Sequence, residues 1–434
     1  MSTPTTSRPT TTATATQADD AHRHFDGVDL QALAQRIGTP LHAYSASAIH
    51  QRIGELQAAL TGLDATICFA VKANPNLAIL QLMANAGVGA DIVSVGELRR
   101  ALNAGMPAER IVFSGVGKST DEIAGALNVG IMRFNVESLD ELHTLQRVAK
   151  AQETTARAAV RVNPDVDAQT HAKISTGKSE NKFGVSIDEA RRWFAERSQL
   201  THVQLDGLHV HIGSQILSVE PFRLALQRVA AFWRELEQAG HPVNSIDVGG
   251  GLGVCYRAGV DQPVAAADYV GAIREALAGF RGRLLLEPGR YLVAEAGVLL
   301  TRVIRVKPGI DRTFLVLDAA MNDLQRPSLY DAWHDIVPVG GEPRPLATYD
   351  IVGPVCETGD TFARARELPE CAAGDLLLIR ATGAYGASMA STYNSRPLAA
   401  EVLLQRGRYA VVRRRQHFED MIAGEQPARN WETP

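Results

Sequence analysis

The sequence predicts an α/β protein: a (β/α)8 barrel followed by a C-terminal, mostly antiparallel β domain that also recruits an N-terminal strand. Three observations predict it. Eight short β-rich apolar runs alternate with amphipathic stretches of helical length between residues 65 and 289, the signature of parallel βα units. Beyond residue 295 the texture changes to strand-like runs with Gly, Pro and Asp at the turns, and helical patterns become scarce. At 434 residues the chain is also too long for one small core, so two domains are expected.

The elements follow in order. Residues 1–25 open with MSTPTTSRPTTTATATQADD, nearly all Thr, Ser, Ala and Pro. Such a segment buries too little apolar surface to offset its ordering entropy and lacks the apolar core of a secretory signal, so a disordered tail is expected. Residues 26–45 end in TPLHAYS, one short strand assigned to the β domain. The barrel occupies 46–295. Its strands are ATICFAV (65–71), GADIVS (89–94), RIVFSG (110–115), IMRFNV (131–136), RAAVRV (157–162), VQLDGLHVH (203–211), NSIDVG (244–249) and RLLLEPG (283–289). Eight strands with intervening helices match a (β/α)8 barrel in count and size, with a doubly wound sheet as the alternative. Residues 296–434 form the β domain, with strands in VLLTRVIRVKPG, RTFLVLDAA, RPLATYDIVGP, GDLLLIRATGAY and RYAVVRRRQ.

Composition removes several functions. The net charge is −4 with no basic block, which argues against a nucleic-acid partner. No apolar run approaches the ~18 residues needed to span a bilayer. Cys68, Cys255, Cys356 and Cys371 are far apart without CxxC spacing. Neither a metal site nor a disulfide framework is expected, and the reducing cytoplasm is the expected compartment.

In such a barrel the strand C-termini and the loops after them form the active face. Here they carry Lys72; Asp91 and Ser94; Gly115 and Gly117; Arg161 and Asn163; His209, His211 and Ser214; the triple glycine Gly249, Gly250, Gly251; and Glu287, Pro288, Gly289, Arg290. Each alone has an ordinary reading as a solvated, structural or turn residue. Together they describe a ligand. Consecutive glycines present N–H groups in a concave nest, and with Ser214 they suit a phosphate. A lysine suits an aldehyde. A carboxylate at Glu287 can keep a ring nitrogen protonated, and an imidazole can stack on the ring. Aldehyde, phosphate and protonatable ring nitrogen in one molecule describe pyridoxal 5'-phosphate. Two decoys fail. GVGKS (115–119) would need a glycine at Val112 to be a P-loop, and DVGGGLGV has Val254 where a dinucleotide fingerprint needs Gly or Ala.

The ordered set FAVKANPN, GVGK, HVHIGSQ, DVGGGLG, EPGRYLVAEAG, MNDLQRPSLYDAWH, GPVCETGD and GAYGASMASTYNSRP resembles the fold-type III pyridoxal-phosphate decarboxylases, from about residue 27 to about residue 420. Within them it is similar to the branch acting on meso-2,6-diaminopimelate. The resemblance implies that Lys72 carries the cofactor, His211 stacks on its ring, Ser214 and Gly251 meet the phosphate, and Glu287 pairs with the pyridine nitrogen. It places Tyr385 near phosphate and substrate, with Gly249, Gly250, Pro288, Gly289 and Arg290 around the cofactor. Arg290, Arg326, Tyr330 and Glu357 would hold the distal amino-acid end of the substrate. Cys356 would protonate the product carbanion across the interface of a head-to-tail homodimer. The implied reaction releases CO2 from the D-centre and yields L-lysine, the last step of lysine biosynthesis.

An arginine at 326 suits a distal carboxylate, which ornithine and arginine lack, and Glu357 suits the distal ammonium. A thiol with reference pKa about 8.5 is a workable donor for Cys356. ISTGKSENKFG (174–184) reads either as a lid or as a solvated loop. Val95 stands where the family often has Gly, a departure expected to affect packing. Two other functions stay open: a decarboxylase of another basic or D-amino acid, and a non-catalytic homologue, against which Lys72, Glu287 and Cys356 all speak.

Overall fold

The computed structural model describes residues 22–167, 182–429 and 431. Most of the expected tail therefore lies outside the described residues, as does 174–181 of the ISTGKSENKFG segment. Residues 22–25 correct the tail's boundary. There β1 (His24–Phe25) pairs antiparallel with β2 (Val28–Asp29), because Arg23 donates to Asp29 at 2.9 Å and its carbonyl accepts from Leu30 N–H. After the helix Leu30–Ile37 comes β3 (Leu41–Ser45).

Eight parallel strands follow: β4 (Ala65–Ala70), β5 (Gly89–Ile92), β6 (Ile111–Phe113), β7 (Arg133–Val136), β8 (Ala156–Arg161), β9 (Val203–His209), β10 (Ser245–Asp247) and β11 (Arg283–Leu286). They form a closed barrel, with β11 pairing back onto β4 through Leu285↔Thr66. Closure excludes the doubly wound sheet. Helices cover the outer face and side chains fill the interior, so β5, β6 and β7 are buried throughout. That is why these strands read as continuous apolar runs rather than alternating ones. Serines start the helices between them. Ser94, Ser119, Ser138 and Ser186 each accept the N–H of the glutamate three residues on, the N-cap arrangement that satisfies an orphan donor. Ser94 is thus a helix cap, and Val95 opens that helix with its N–H on Glu122 Oε1 at 2.9 Å.

The second domain contains β12 (Gly297–Pro308), β13 (Thr313–Leu317), β14 (Ile336–Pro338), β15 (Leu346–Val352), β16 (Thr361–Pro369), β17 (Leu376–Ile379), β18 (Ala400–Gln405) and β19 (Arg408–Arg413). Its order is β16-β15-β13-β12-β3-β18-β19, with β17 pairing both β12 and β14. All pairs are antiparallel except β13–β15 and β3–β18. The N-terminal β3 sits between β12 and β18, with Ala43 opposite Val298 and Val402. Apolar clusters fill both faces of this sheet, one around Leu41 and Leu300, the other around Leu315 and Leu377.

Three hydrogen bonds stitch the two domains together at the barrel mouth. Tyr385 N–H and Ser388 Oγ donate to Ala73 O at 2.9 and 3.2 Å, and Asn74 Nδ2 donates to Gly383 O at 3.0 Å. The loop after β4 is thereby locked under the β domain. Among the described residues no helix is long and apolar enough to cross a membrane.

Candidate active site

A cavity of about 740 Å³ opens at the C-terminal ends of the barrel strands, roofed by the β domain. It brings together Lys72, Gly115, Gly117, Arg161, His209, His211, Ser214, Gly251, Glu287, Gly289 and Arg290 from the barrel, and Arg326, Tyr330 and Tyr385 from the β domain.

Lys72 sits in a single 3₁₀ turn, Val71–Ala73, directly after β4. The turn is fixed by Asn74, whose Oδ1 accepts Asn76 N–H, while Asn76 caps the following helix. Lys72 keeps 42% of its side chain exposed, but to the cavity rather than to bulk water, and Nζ donates to Asp91 Oδ2 at 3.3 Å. Burial opposes its charge, yet Asp91, Tyr385 and Glu287 outweigh burial and raise its pKa.

Beneath it lies a floor of paired charges. Glu287 Oε2 is 3.2 Å from His209 Nε2, while Oε1 accepts from Ser114 Oγ at 3.2 Å and Asn135 Nδ2 at 3.1 Å. Burial penalises this carboxylate, but His209 and then Lys72 overcome the penalty and hold it well below the usual range. Asp247, also in reach of Asn135, is pushed up to about 8 by burial and by Glu287. Two neighbouring carboxylates cannot both stay ionised in a buried site. Glu287 keeps the charge. His211 is pushed the other way: burial, then Arg161 and Lys72, lower it well below its ordinary value and leave a neutral flat ring on the wall. His209, Asp247 and Glu287 present ligand atoms within 4.8 Å of one another, an arrangement their hydrogen bonds already account for.

On one side Arg290 donates to Ser214 Oγ at 2.9 Å and to Tyr256 Oη at 2.6 Å, and its guanidinium lies 4.9 Å from the Tyr385 ring centre. Gly251 lines the cavity as well. Arg326 also packs on Tyr256, 4.2 Å from the ring centre, and is only 6% exposed.

The structure separates some of the expected residues from this cavity. Gly249 and Gly250 stand behind the wall, and two of the three N–H groups expected to form a nest are already taken. Gly249 N–H donates to Asp247 Oδ1 at 2.9 Å and Gly250 N–H to His211 Nδ1 at 3.2 Å. Both positions need glycine because a Cβ there would overlap Val210 O or Glu287 O. Pro288 also lies behind the wall, its carbonyl accepting Ala70 N–H. Cys356 is an exposed free thiol and Glu357 borders a different groove beside β15 and β16, held by Tyr393 Oη at 3.3 Å. Neither reaches this chain's own cavity. Lys118 of the failed P-loop is buried, donating to Gly115 O, Asn135 O and Glu141.

Several cavity residues were given no role from the sequence: Phe183, Gln215, Tyr256, Asp261 and Trp333. Phe183 lies at the end of the segment read as lid or loop, stacked 4.7 Å from the Arg161 guanidinium, which itself pairs with Glu137 at 3.1 Å.

A family model described as "Pyridoxal-dependent decarboxylase, pyridoxal binding domain" matches residues 46–294. The chain belongs to the pyridoxal-dependent decarboxylase family. Among relatives in that family, the diaminopimelate decarboxylase of Pseudomonas aeruginosa is 49% identical over 406 residues, 94% of this chain and 97% of the relative. That of Zymomonas mobilis is 46% identical over 404 residues, 92% and 96%. Among solved structures, diaminopimelate decarboxylase from Helicobacter pylori complexed with L-lysine is 43% identical with a TM-score of 0.88, covering 92% of this chain and 99% of that one. The family's pyridoxal-binding domain coincides with the barrel that carries Lys72 and Glu287. The residues fit the cofactor: an amine facing the cavity, an ionised carboxylate on the floor, a neutral imidazole on the wall, and a hydroxyl and guanidinium at one end.

Proposed function

We propose that the protein decarboxylates meso-2,6-diaminopimelate at its D-centre to give L-lysine and CO2, using pyridoxal 5'-phosphate seated in the barrel cavity. The observation that carries this reading is the second buried guanidinium. Arg290 with Ser214 and Gly251 accounts for a phosphate. Arg326 remains, and after burial the groups acting most on its charge are Tyr256, Arg290, Tyr385 and Tyr330, none of them a carboxylate. A buried charge left without a counter-ion is costly, so the substrate should bring one. A distal carboxylate does; ornithine and lysine acting as substrates do not. The names of the relatives support the same substrate.

Lys72 would hold the cofactor covalently, His211 would face its ring, and Glu287 would keep its ring nitrogen protonated by direct charge. Ser214, Gly251, Arg290 and Tyr385 would take the phosphate, while Gly249, Gly250, Pro288 and Gly289 shape the seat. When bound, the cofactor supplies the sink for the electron pair left at Cα as CO2 departs. The remaining work belongs to this chain. Arg326 and Tyr330 bind the distal carboxylate, and Glu357 takes the distal ammonium. Cys356 Sγ delivers the proton to Cα. Cys356 and Glu357 lie outside their own cavity, so both act on the site of a second copy in a head-to-tail homodimer. The four cysteines are free thiols, in keeping with the reducing cytoplasm.

Steady-state assays with meso-diaminopimelate, L-ornithine, L-lysine and L-arginine test the proposal. CO2 and L-lysine in equal amounts from the first, with little turnover of the others, is expected. Better turnover of any of the three monocarboxylates would overturn it.

A further inference from the structure

Arg326 opens the short helix Arg326–Tyr330, and the chain then turns through Asp331 at a positive φ of 50°. That turn returns His334 to Arg326. The imidazole is 1% exposed, with Nδ1 2.7 Å from Arg380 O and Nε2 2.7 Å from Arg326 Nη1. A carbonyl oxygen only accepts and a guanidinium only donates. Nδ1 therefore carries the hydrogen, and Nε2 offers its lone pair to Arg326. Both contacts hold only for the neutral ring in that one tautomer.

The rest of the environment agrees. The charged groups acting on His334 are Arg326, Arg290 and Arg366, and the Tyr256 ring packs edge-on at 5.1 Å. Burial, then Arg326, lowers its pKa to about 3, so no second positive charge appears beside the guanidinium. Arg380 is anchored in turn, since its N–H donates to Asp335 O at 2.9 Å. Arg366 Nη1 holds His334 O at 3.0 Å. Tyr256 covers one face of Arg326 and is itself fixed by Arg290. One edge of the guanidinium is spent on His334, one face on Tyr256, and the remaining N–H groups are left for a planar anion.

We infer that His334 is a positioning residue that aims Arg326 at the distal carboxylate of the substrate, locking the fork to the end of β17 through Arg380 O. The inference rests on the proposed substrate: it names the residue that turns a buried guanidinium into a carboxylate receptor. A histidine serving only the fold of the β domain would stabilise the protein without discriminating between ligands.

His334→Leu and His334→Gln separate the two roles. Gln keeps an acceptor within reach of Arg326 and Leu has none. For the Leu variant KM for meso-diaminopimelate should rise about ten- to a hundred-fold, the range for losing one charge-assisted hydrogen bond, with kcat within a few-fold of wild type. Gln should recover part of that loss. Product inhibition by L-lysine, which retains the distal carboxylate, should weaken in parallel. Inhibition by 1,5-diaminopentane, which has no carboxylate, should not change, and neither should the visible absorbance of the bound cofactor. An unchanged KM in folded, cofactor-loaded variants overturns the inference, as does an equal weakening towards 1,5-diaminopentane. If Leu fails to fold, the Gln variant decides: L-lysine and 1,5-diaminopentane weakening together again overturns it. Absence of meso-diaminopimelate turnover in the wild type removes the substrate reading and this inference together, whereas a competent wild type with indifferent variants removes the inference alone.

Discussion

The floor of the cavity and its upper wall handle charge in opposite ways. On the floor the two charges facing the cavity are answered from within the barrel: Glu287 by His209, Ser114 and Asn135, and Lys72 by Asp91. On the wall, Arg290 and Arg326 are covered by aromatic rings and by a neutral histidine, with no carboxylate partner among the described residues. A self-compensated floor can hold a cofactor and tune its protonation. A wall short of negative charge waits for anions on the ligand. On the proposed reading the barrel floor holds and tunes the cofactor, and the seam with the β domain selects the substrate.

The sharpest way to break that division is on the floor. Lys72→Ala should reduce turnover by more than about 10³-fold, within the range for a lost acid–base group, and should abolish the visible absorbance of lysine-bound cofactor. Retained absorbance would detach the cofactor from Lys72. Cys356→Ala should keep the cofactor and lose about 10²-fold in kcat. Mixing Cys356→Ala subunits with Lys72→Ala subunits should then restore activity, because one site of the mixed dimer regains both groups. No recovery would place the proton donor elsewhere.

A smaller effect probes the Lys72–Asp91 pair. Asp91 helps hold Lys72 protonated, and only the neutral amine attacks an aldehyde. In Asp91→Asn the pKa of Lys72 falls, so cofactor-free protein should recapture pyridoxal 5'-phosphate with a pH profile shifted to lower pH. A profile shifted upward would contradict the pairing. The smallest effect belongs to the wall and the β domain. His334 and His42 are lowered from 6.5 to about 3 and about 4, first by burial. The unfolded chain binds protons there that the folded protein refuses. Their stability contribution is complete above about pH 6.5 and is lost as pH falls towards 4 and then 3. The Tm of His334→Gln should therefore fall less steeply than wild type over that window; parallel Tm curves would show that His334 titrates normally.

The floor was legible in the sequence and the wall only partly so, for a physical reason. Barrel strands are buried on both faces, so they stand out as apolar runs, and each exposes its polar residues in the few positions after it ends. Lys72, His211, Ser214 and Glu287 occupy such places, and His209 is the last residue of β9. The wall is assembled from loops with no shared period. Tyr256 follows the glycine-rich loop after β10, and Trp333 and His334 follow a five-residue helix. Only the clustering of aromatics and His after RPSLY could have pointed to them. In the β domain after residue 295, three strands went unread on the same grounds. β14 is three residues long, β16 alternates poorly because much of it is solvated, and β18 buries Glu401, which pairs with Tyr44 and Arg413. The glycine run was recognised, but not that Gly249 and Gly250 serve close backbone approach.

D-Lysine is meso-diaminopimelate without its distal carboxylate, so it isolates the wall from the floor. The decisive measurement is kcat/KM for the two compounds in wild type and in Arg326→Ala. The account predicts a wild-type preference for meso-diaminopimelate of about 10²-fold or more, as for a charged group facing a buried partner. That preference should collapse in the variant through the loss of activity on meso-diaminopimelate. Equal use of D-lysine by the wild type, or a preference that survives in Arg326→Ala, would contradict it.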